Sequence, residues 1–216
     1  MLRKNHTIKK VLNLISTASS TTMLGSLSKK WAPFKTLIAT ILSARAKDEV
    51  TELVAEELFK AYPDCNALAN ANPTIVKRII HRIGFFNAKT KNIIATAKMI
   101  RDDFSGKVPS NREQLLKLPG VGRKVANCIL VYSFDQDAIP VDIHVHRISN
   151  RLGWVKTTTP EHTEERLLQL IPKKHWKILN DTFVRHGKTI CLPVSPKCSV
   201  CPVHKYCTRA GVRKSR

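Results

Sequence analysis

The stretch APFKTLIATILSA, residues 32–44, is apolar around its whole circumference. A helix with no polar face is stable only when other elements cover it on every side, so this segment predicts a central, buried helix. The surrounding sequence reads as the shell that such a centre needs. In IKKVLNLI, Ile8, Val11, Leu12 and Ile15 fall on one stripe, and in DEVTELVAEELFKAY, Val50, Leu53, Val54 and Phe59 do the same. Further helices are predicted near 74–83, 88–103, 111–117, 123–134, 143–152, 160–171 and 175–186. Ser110 with Glu113 has the S-x-x-E form of a capping box, and Thr159-Pro160 places proline at a first helical position. Period-2 alternation is missing, and the short β-branched TIVKRII is expected to yield to its helical neighbours. The expected fold is all-α, with roughly ten short helices.

A chain of 216 residues suits one large domain or two small ones and buries a core without disulfide staples. Its six cysteines are therefore not needed for stability alone. Lysine and arginine number 37 against 16 aspartates and glutamates, a formal charge of +21, and no acid occurs before Asp48. That balance points to a polyanion, because Lys/Arg contacts to phosphates release condensed counterions. An anionic membrane fits less well, since no segment joins a basic face to aromatic anchors. No apolar run approaches the ~20 residues of a membrane span. The opening MLRKNHTIKKVLNLIST has a faint transit-peptide composition but runs on without a cleavage-like break, so it reads as a structural helix. A cytoplasmic, nucleoid-associated monomer without a signal peptide is expected.

The segment NREQLLKLPGVGRKVANCIL reads as a helix ending at Leu118, a turn through Pro119, Gly120, Val121 and Gly122, and a second helix starting near Arg123. A G-x-G turn between two helices directs backbone N–H groups at one phosphate, with the positive end of the second helix behind them. A plain αα-corner with glycine in the turn is the alternative. Lys124, next along, is on charge statistics another phosphate contact. Asp142, before IHVHRISNRL, reads as a helix N-cap. His144 and His146, two apart, do not form a helical metal pair.

Near the end of the chain Cys191, Cys198, Cys201 and Cys207 are separated by six, two and five residues. Four cysteines so spaced can ligate a metal through thiolates, and the spacing admits zinc or an iron–sulfur cluster. Cys65 and Cys128 lie outside this run and are expected to be packing residues.

Taken in order, FKTLIATILSARAKD, RIGFFNAKTKNI, VPSNREQLLKLPGVGRK, IPVDIHVHRISNRLG and HGKTICLPVSPKCSVCPVHKYC make the chain resemble the endonuclease III family of helix-hairpin-helix DNA glycosylases. The resemblance implies a two-lobed helical fold with a DNA cleft between the lobes. One lobe is a six-helix barrel domain over 27–136 containing the helix-hairpin-helix at about 111–133. The other is discontinuous, 1–26 with 137–216, and carries the cysteine loop 191–207. The resemblance also implies that Cys191, Cys198, Cys201 and Cys207 hold a [4Fe–4S] cluster, with Lys197 in their loop contacting DNA.

In that family the lysine after the hairpin is the nucleophile and an aspartate eighteen residues on assists it, which assigns the chemistry to Lys124 and Asp142. A nucleophilic amine must be uncharged, so burial, Arg123 and the helix N-terminus are expected to lower the basicity of Lys124. His144 matches a histidine near the cleft. Arg45 stands where a gap-filling glutamine is usual, and Phe85 where a leucine wedge is usual; an arginine can still fill the gap and a phenylalanine can still stack into an opened step. At least one of Phe85 and Phe86 is expected in the core.

The function implied is removal of oxidised pyrimidines from double-stranded DNA, followed by β-elimination at the abasic site. A monofunctional mismatch glycosylase is one alternative, disfavoured by the presence of Lys124 and the lack of an acid in 32–45. A non-catalytic DNA-binding hairpin protein is the other.

Overall fold

The structure, a computed structural model, describes residues 2–16 and 22–216; Met1 and residues 17–21, parts of the opening segment discussed above, lie outside the described residues. In chain order the helices are α1 (Leu2–Ser16), α2 (Met23–Leu27), α3 (Pro33–Ser43), α4 (Asp48–Ala61), α5 (Cys65–Ala69), α6 (Pro73–Ile80), α7 (Phe86–Asp103), α8 (Arg112–Lys117), α9 (Arg123–Phe134), α10 (Ile143–Arg151), α11 (Pro160–Leu170) and α12 (Trp176–Thr189). Short 3-10 turns lie at Lys173–His175 and His204–Tyr206. No strand occurs among the described residues, and TIVKRII is helical as α6. The fold is all-α.

The chain forms two compact units, one of residues 23–136 and one joining the described part of 1–22 to 137–216. Residues 23–26, assigned from sequence to the discontinuous lobe, belong with 23–136, because α2 packs on α3.

Within 23–136, α3 is the central element and touches α2, α4, α7 and α9. Phe34 and residues 36 to 42 of α3 are buried. Two of these, Thr36 and Thr40, are polar; their hydroxyls donate to carbonyls one turn back, at Ala32 (3.4 Å) and Thr36 (2.7 Å), so no extra partner is required in the core. Of the stripe predicted for α4, Val54 and Phe59 are buried and Val50 is half-buried, but Leu53 is not buried. Thr51, Val54, Ala55 and Leu58 face inward at helical spacing, while Leu53 is 58% exposed. Thr51, Ala55 and Leu58 complete an inward face that the predicted stripe covered in part.

Helix α8 starts one residue later than the sequence signal. Asn111, not Ser110, is its cap: the Asn111 Oδ1 accepts from the N–H groups of Glu113 (2.8 Å) and Gln114 (3.2 Å), and the Ser110 carbonyl instead accepts from Gln136 Nε2. Pro160 opens α11 as read, and the Thr159 side chain ahead of it caps the helix by accepting from His162 N–H.

The second unit packs α10 against α11 and α12, and α1 against α12. Ile8, Val11, Leu12 and Ile15 of α1 are buried in one cluster with Val145, Ile148, Leu179 and Phe183. Phe183 is fully buried, its ring centroid 5.5 Å from that of Trp154. Burial of a side chain that size contributes about 2–3 kcal/mol before its cavity is considered. No helix among the described residues is long and apolar enough to cross a membrane.

Candidate functional site

Helices α8 and α9 are joined by the five residues 118–122. Gly120 adopts φ +79°, and a Cβ there would lie 2.9 Å from Asn92 Nδ2 on α7. Both the left-handed backbone and the approach of Asn92 require glycine at this position. Thr96, one turn further along α7, donates from Oγ1 to the Pro119 carbonyl at 2.7 Å. Val121 is buried and anchors the turn from inside. Gly122 is the N-cap of α9 and offers no side-chain oxygen to the first turn. The positive end of α9 therefore has no side-chain cap from Gly122, the arrangement that favours a phosphate. Arg123 and Lys124 open α9, and both are half-buried.

Asp142 caps α10 as read from sequence. Its Oδ1 accepts from the N–H groups of His144 and Val145, each at 2.9 Å, and its side chain is half-buried. His144 lies against Gly187 of α12, where an added Cβ would run into the imidazole. Its Nδ1 stands 3.1 Å from Arg147 Nη2. His146 is held apart from this group: its Nδ1 is 2.6 Å from Thr163 Oγ1, and burial lowers its pKa.

Two arginines that look like surface cations in so basic a chain turn inward. Arg147 donates to the Cys191 carbonyl (2.8 Å) and the Gly187 carbonyl (3.1 Å). Arg151, 8% exposed, donates to the carbonyls of Leu192 (2.6 Å) and Pro193 (2.8 Å), and its Nη1 stands 3.4 Å from Cys191 Sγ. His144, Arg147 and Arg151 share one face of α10 at spacings of three and four, so the helix capped by Asp142 also grips the start of the cysteine loop. Periodicity could have placed them on one face; only the packing reveals that this face is turned toward carbonyls.

Cys191, Cys198, Cys201 and Cys207 all line one cavity, with Ile148, Leu152, Ile190 and Val203 as apolar wall. None of the four is in a disulfide. Among the described residues no three His, Cys, Asp or Glu side chains converge closely enough to hold a single metal ion. Burial pushes the Cys201 and Cys207 thiols up. His186, whose Nε2 lies 3.7 Å from Cys201 Sγ, is pulled down to about 4, chiefly by burial and then by Arg185 and Arg147, so it is neutral at physiological pH. Lys197, in the loop, is exposed. Cys65 and Cys128 are buried, as expected of packing residues.

Arg45 and Phe85, forty positions apart, meet. The guanidinium carbon lies 5.4 Å from the ring centroid, both backbones are left-handed (φ +54° and +61°), and Phe85 is 62% exposed. Phe86 is half-buried, so neither phenylalanine is in the buried core, contrary to the expectation for at least one of them. Neither residue type adopts positive φ readily, which marks both loop ends as held by their surroundings.

Residues 38–173 match the model of the HhH-GPD superfamily of base excision DNA repair proteins. The chain is 44% identical over 179 residues to endonuclease III of Thermotoga maritima, covering 83% of this chain and 84% of that protein. It is 41% identical to endonuclease III of a Synechocystis species, with 82% of each chain covered. Among solved structures, an endonuclease III in a non-covalent DNA complex superposes with a TM-score of 0.87 at 32% identity, and one trapped as a covalent DNA intermediate with 0.83 at 31%; each comparison covers 97% of both chains. A thermostable thymine-DNA glycosylase at 22% identity and TM-score 0.85 shares the fold. From the family match, the identities and the shared helical architecture together, the chain belongs to the endonuclease III family of the HhH-GPD base excision repair superfamily.

Proposed function

We propose that Lys124 and Asp142 carry the chemistry, acting on oxidised pyrimidines in duplex DNA. As an endonuclease III, the chain is a bifunctional DNA glycosylase and abasic-site lyase in base excision repair. The observation that carries the residue assignment is the position of Lys124 in the first turn of α9, immediately after a hairpin whose own backbone is shaped to hold a phosphate. With the phosphate held by the Gly120–Gly122 turn, the lysine is available to the sugar.

The neutral Lys124 amine attacks C1′ of the damaged nucleotide, forming a C–N bond as the bond to the base breaks; the base departs with the bonding pair and takes up a proton. Ring opening gives the imine between Lys124 Nζ and C1′. Loss of a C2′ proton then expels the 3′ phosphate with its electron pair, and water hydrolyses the imine to release Lys124. Asp142 stabilises positive charge at the sugar and receives protons during these steps. The capping bonds at its Oδ1 fix the carboxylate and leave its second oxygen for this work. DNA is held by Gly120, Val121, Gly122 and Arg123 at the hairpin, with His144 and Lys197 as further contacts. Arg45 and Phe85 fill and wedge the opened step.

The four thiols fit a [4Fe–4S] cluster. All four line one cavity, and Arg151 offers an N–H to one sulfur, which suits a group held by thiolates. The group would tie the loop 191–207 to α10 and supply structural support.

Borohydride trapping on duplex DNA with one thymine glycol tests the assignment. Wild type is expected to give a covalent adduct and Lys124→Gln none. An adduct that persists in Lys124→Gln moves the nucleophile to another residue.

A further inference from the structure

Lys89 lies at the centre of a buried polar connection that the repair chemistry does not use. It is 6% exposed on α7, yet its ammonium donates to the carbonyl of Leu42 at 2.8 Å and to that of Ala44 at 2.6 Å. These are carbonyls at the C-terminal end of α3, where the helix leaves them without intrahelical partners and where a cation is favoured. The next residue is Arg45, with φ +54°. At its other end Lys89 is tied to the second loop, since its N–H donates to the Phe85 carbonyl at 3.0 Å. One side chain therefore fixes the turn that presents Arg45, and its own backbone fixes the turn that presents Phe85.

The same face of α7 continues toward the hairpin. Asn92 and Thr96 follow Lys89 at spacings of three and four, and they are the residues that abut Gly120 and hold the Pro119 carbonyl. A polar face on a single helix thus links three irregular segments: 44–46, 84–86 and 119–122. Burying an ammonium is costly, and burial does pull the Lys89 pKa to about 8. A methionine would fill the space without that cost but would remove the donor from the buried Leu42 carbonyl and the partly buried Ala44 carbonyl.

We propose that Lys89 is a positioning residue for base extrusion: by bridging the end of α3 to the start of α7 it holds Arg45 and Phe85 stacked in the geometry that enters the duplex. The inference rests on the reading of Arg45 and Phe85 as the wedge. Lys89 touches neither substrate nor Lys124 in this role, so its removal uncouples extrusion from sugar chemistry.

The test uses duplex DNA in which 2-aminopurine lies opposite a tetrahydrofuran site, an abasic analogue that cannot form an imine; fluorescence rises when the estranged base is unstacked. In parallel, kcat/KM is measured on duplex thymine glycol and on a single-stranded abasic oligonucleotide, which needs no extrusion. Lys89→Met is expected to lose at least half the fluorescence rise and about tenfold in kcat/KM on the duplex, with a change several times smaller on the single strand. Lys89→Arg, which keeps two donors for the carbonyls, is expected to recover most of both. Phe85→Ala is expected to lose the fluorescence rise outright.

A full fluorescence rise in Lys89→Met together with its loss in Phe85→Ala overturns the inference and leaves the wedge reading standing. A full rise in both Phe85→Ala and Arg45→Ala overturns the wedge reading itself. If duplex and single-strand cleavage fall in parallel in both Lys89 variants, Lys89 serves the fold alone and the proposal is wrong.

Discussion

At the scale of single residues, Asp142 has two tasks that one substitution can separate. Asparagine caps a helix about as well as aspartate, so Asp142→Asn is expected to leave the melting temperature within about 1 °C of wild type while slowing single-turnover base release by about 100-fold or more. Asp142→Ala also removes the acceptor for His144 and Val145 N–H, and should in addition lower the melting temperature by about 2–4 °C, from a loss of about 1 kcal/mol. Equal base release in wild type and Asp142→Asn would reduce Asp142 to a cap. Legibility also differed residue by residue. The capping role of Asp142 was readable from its place before a helical run, and the flexibility required of Gly120 from its setting in G-x-G. Arg147 and Arg151 were not readable, because a charged residue on a helix has the same pattern whether it faces water or a cluster of carbonyls.

At the scale of elements, the α8 start offers a direct comparison. Asn111→Ala should cost about 1 kcal/mol in urea unfolding, whereas Ser110→Ala should stay within about 0.5 kcal/mol, reversing the expectation from the S-x-x-E pattern. The hairpin is more exacting. Gly120→Ala meets both a left-handed backbone and the Asn92 amide, and is expected to destabilise by about 1–3 kcal/mol and to weaken binding to an abasic duplex in a filter or anisotropy assay. Unchanged affinity in that variant would remove the turn from the DNA interface. The inward face of α4 makes a gentler prediction. Leu53→Lys should be tolerated within about 0.5 kcal/mol, while Leu58→Lys, placed where exposure is zero, should prevent folding.

For the whole molecule, the formal charge of +21 should appear as salt dependence. If about four phosphates are contacted, affinity for an abasic duplex falls about 100-fold between 50 and 200 mM salt. A flat dependence would contradict an electrostatic mode of binding. The cysteine cavity predicts a brown protein absorbing near 400 nm with about four irons per chain, and a loss of thermal stability when iron is removed, since a group held by four side chains stabilises only the folded state. Zinc without iron in the purified protein would refute the cluster assignment.

The sequence by itself determined the helical class, the central position of the apolar stretch 32–44, the hairpin and the set of four cysteines. Each of these depends on local spacing: periodicity, glycine in a turn, or thiol intervals, all of which act over a few residues and are written in the chain directly. Tertiary structure alone decided that Leu53 of α4 is left exposed, that Asn111 rather than Ser110 caps α8, that Arg147 and Arg151 turn inward, that Arg45 and Phe85 stack, and that Lys89 bridges α3 to α7. The physical reason is common to all five. A side chain with both apolar stem and polar tip, or one of two adjacent cap residues, has alternatives of nearly equal local energy. The choice between them falls to partners brought near only when distant parts of the chain pack.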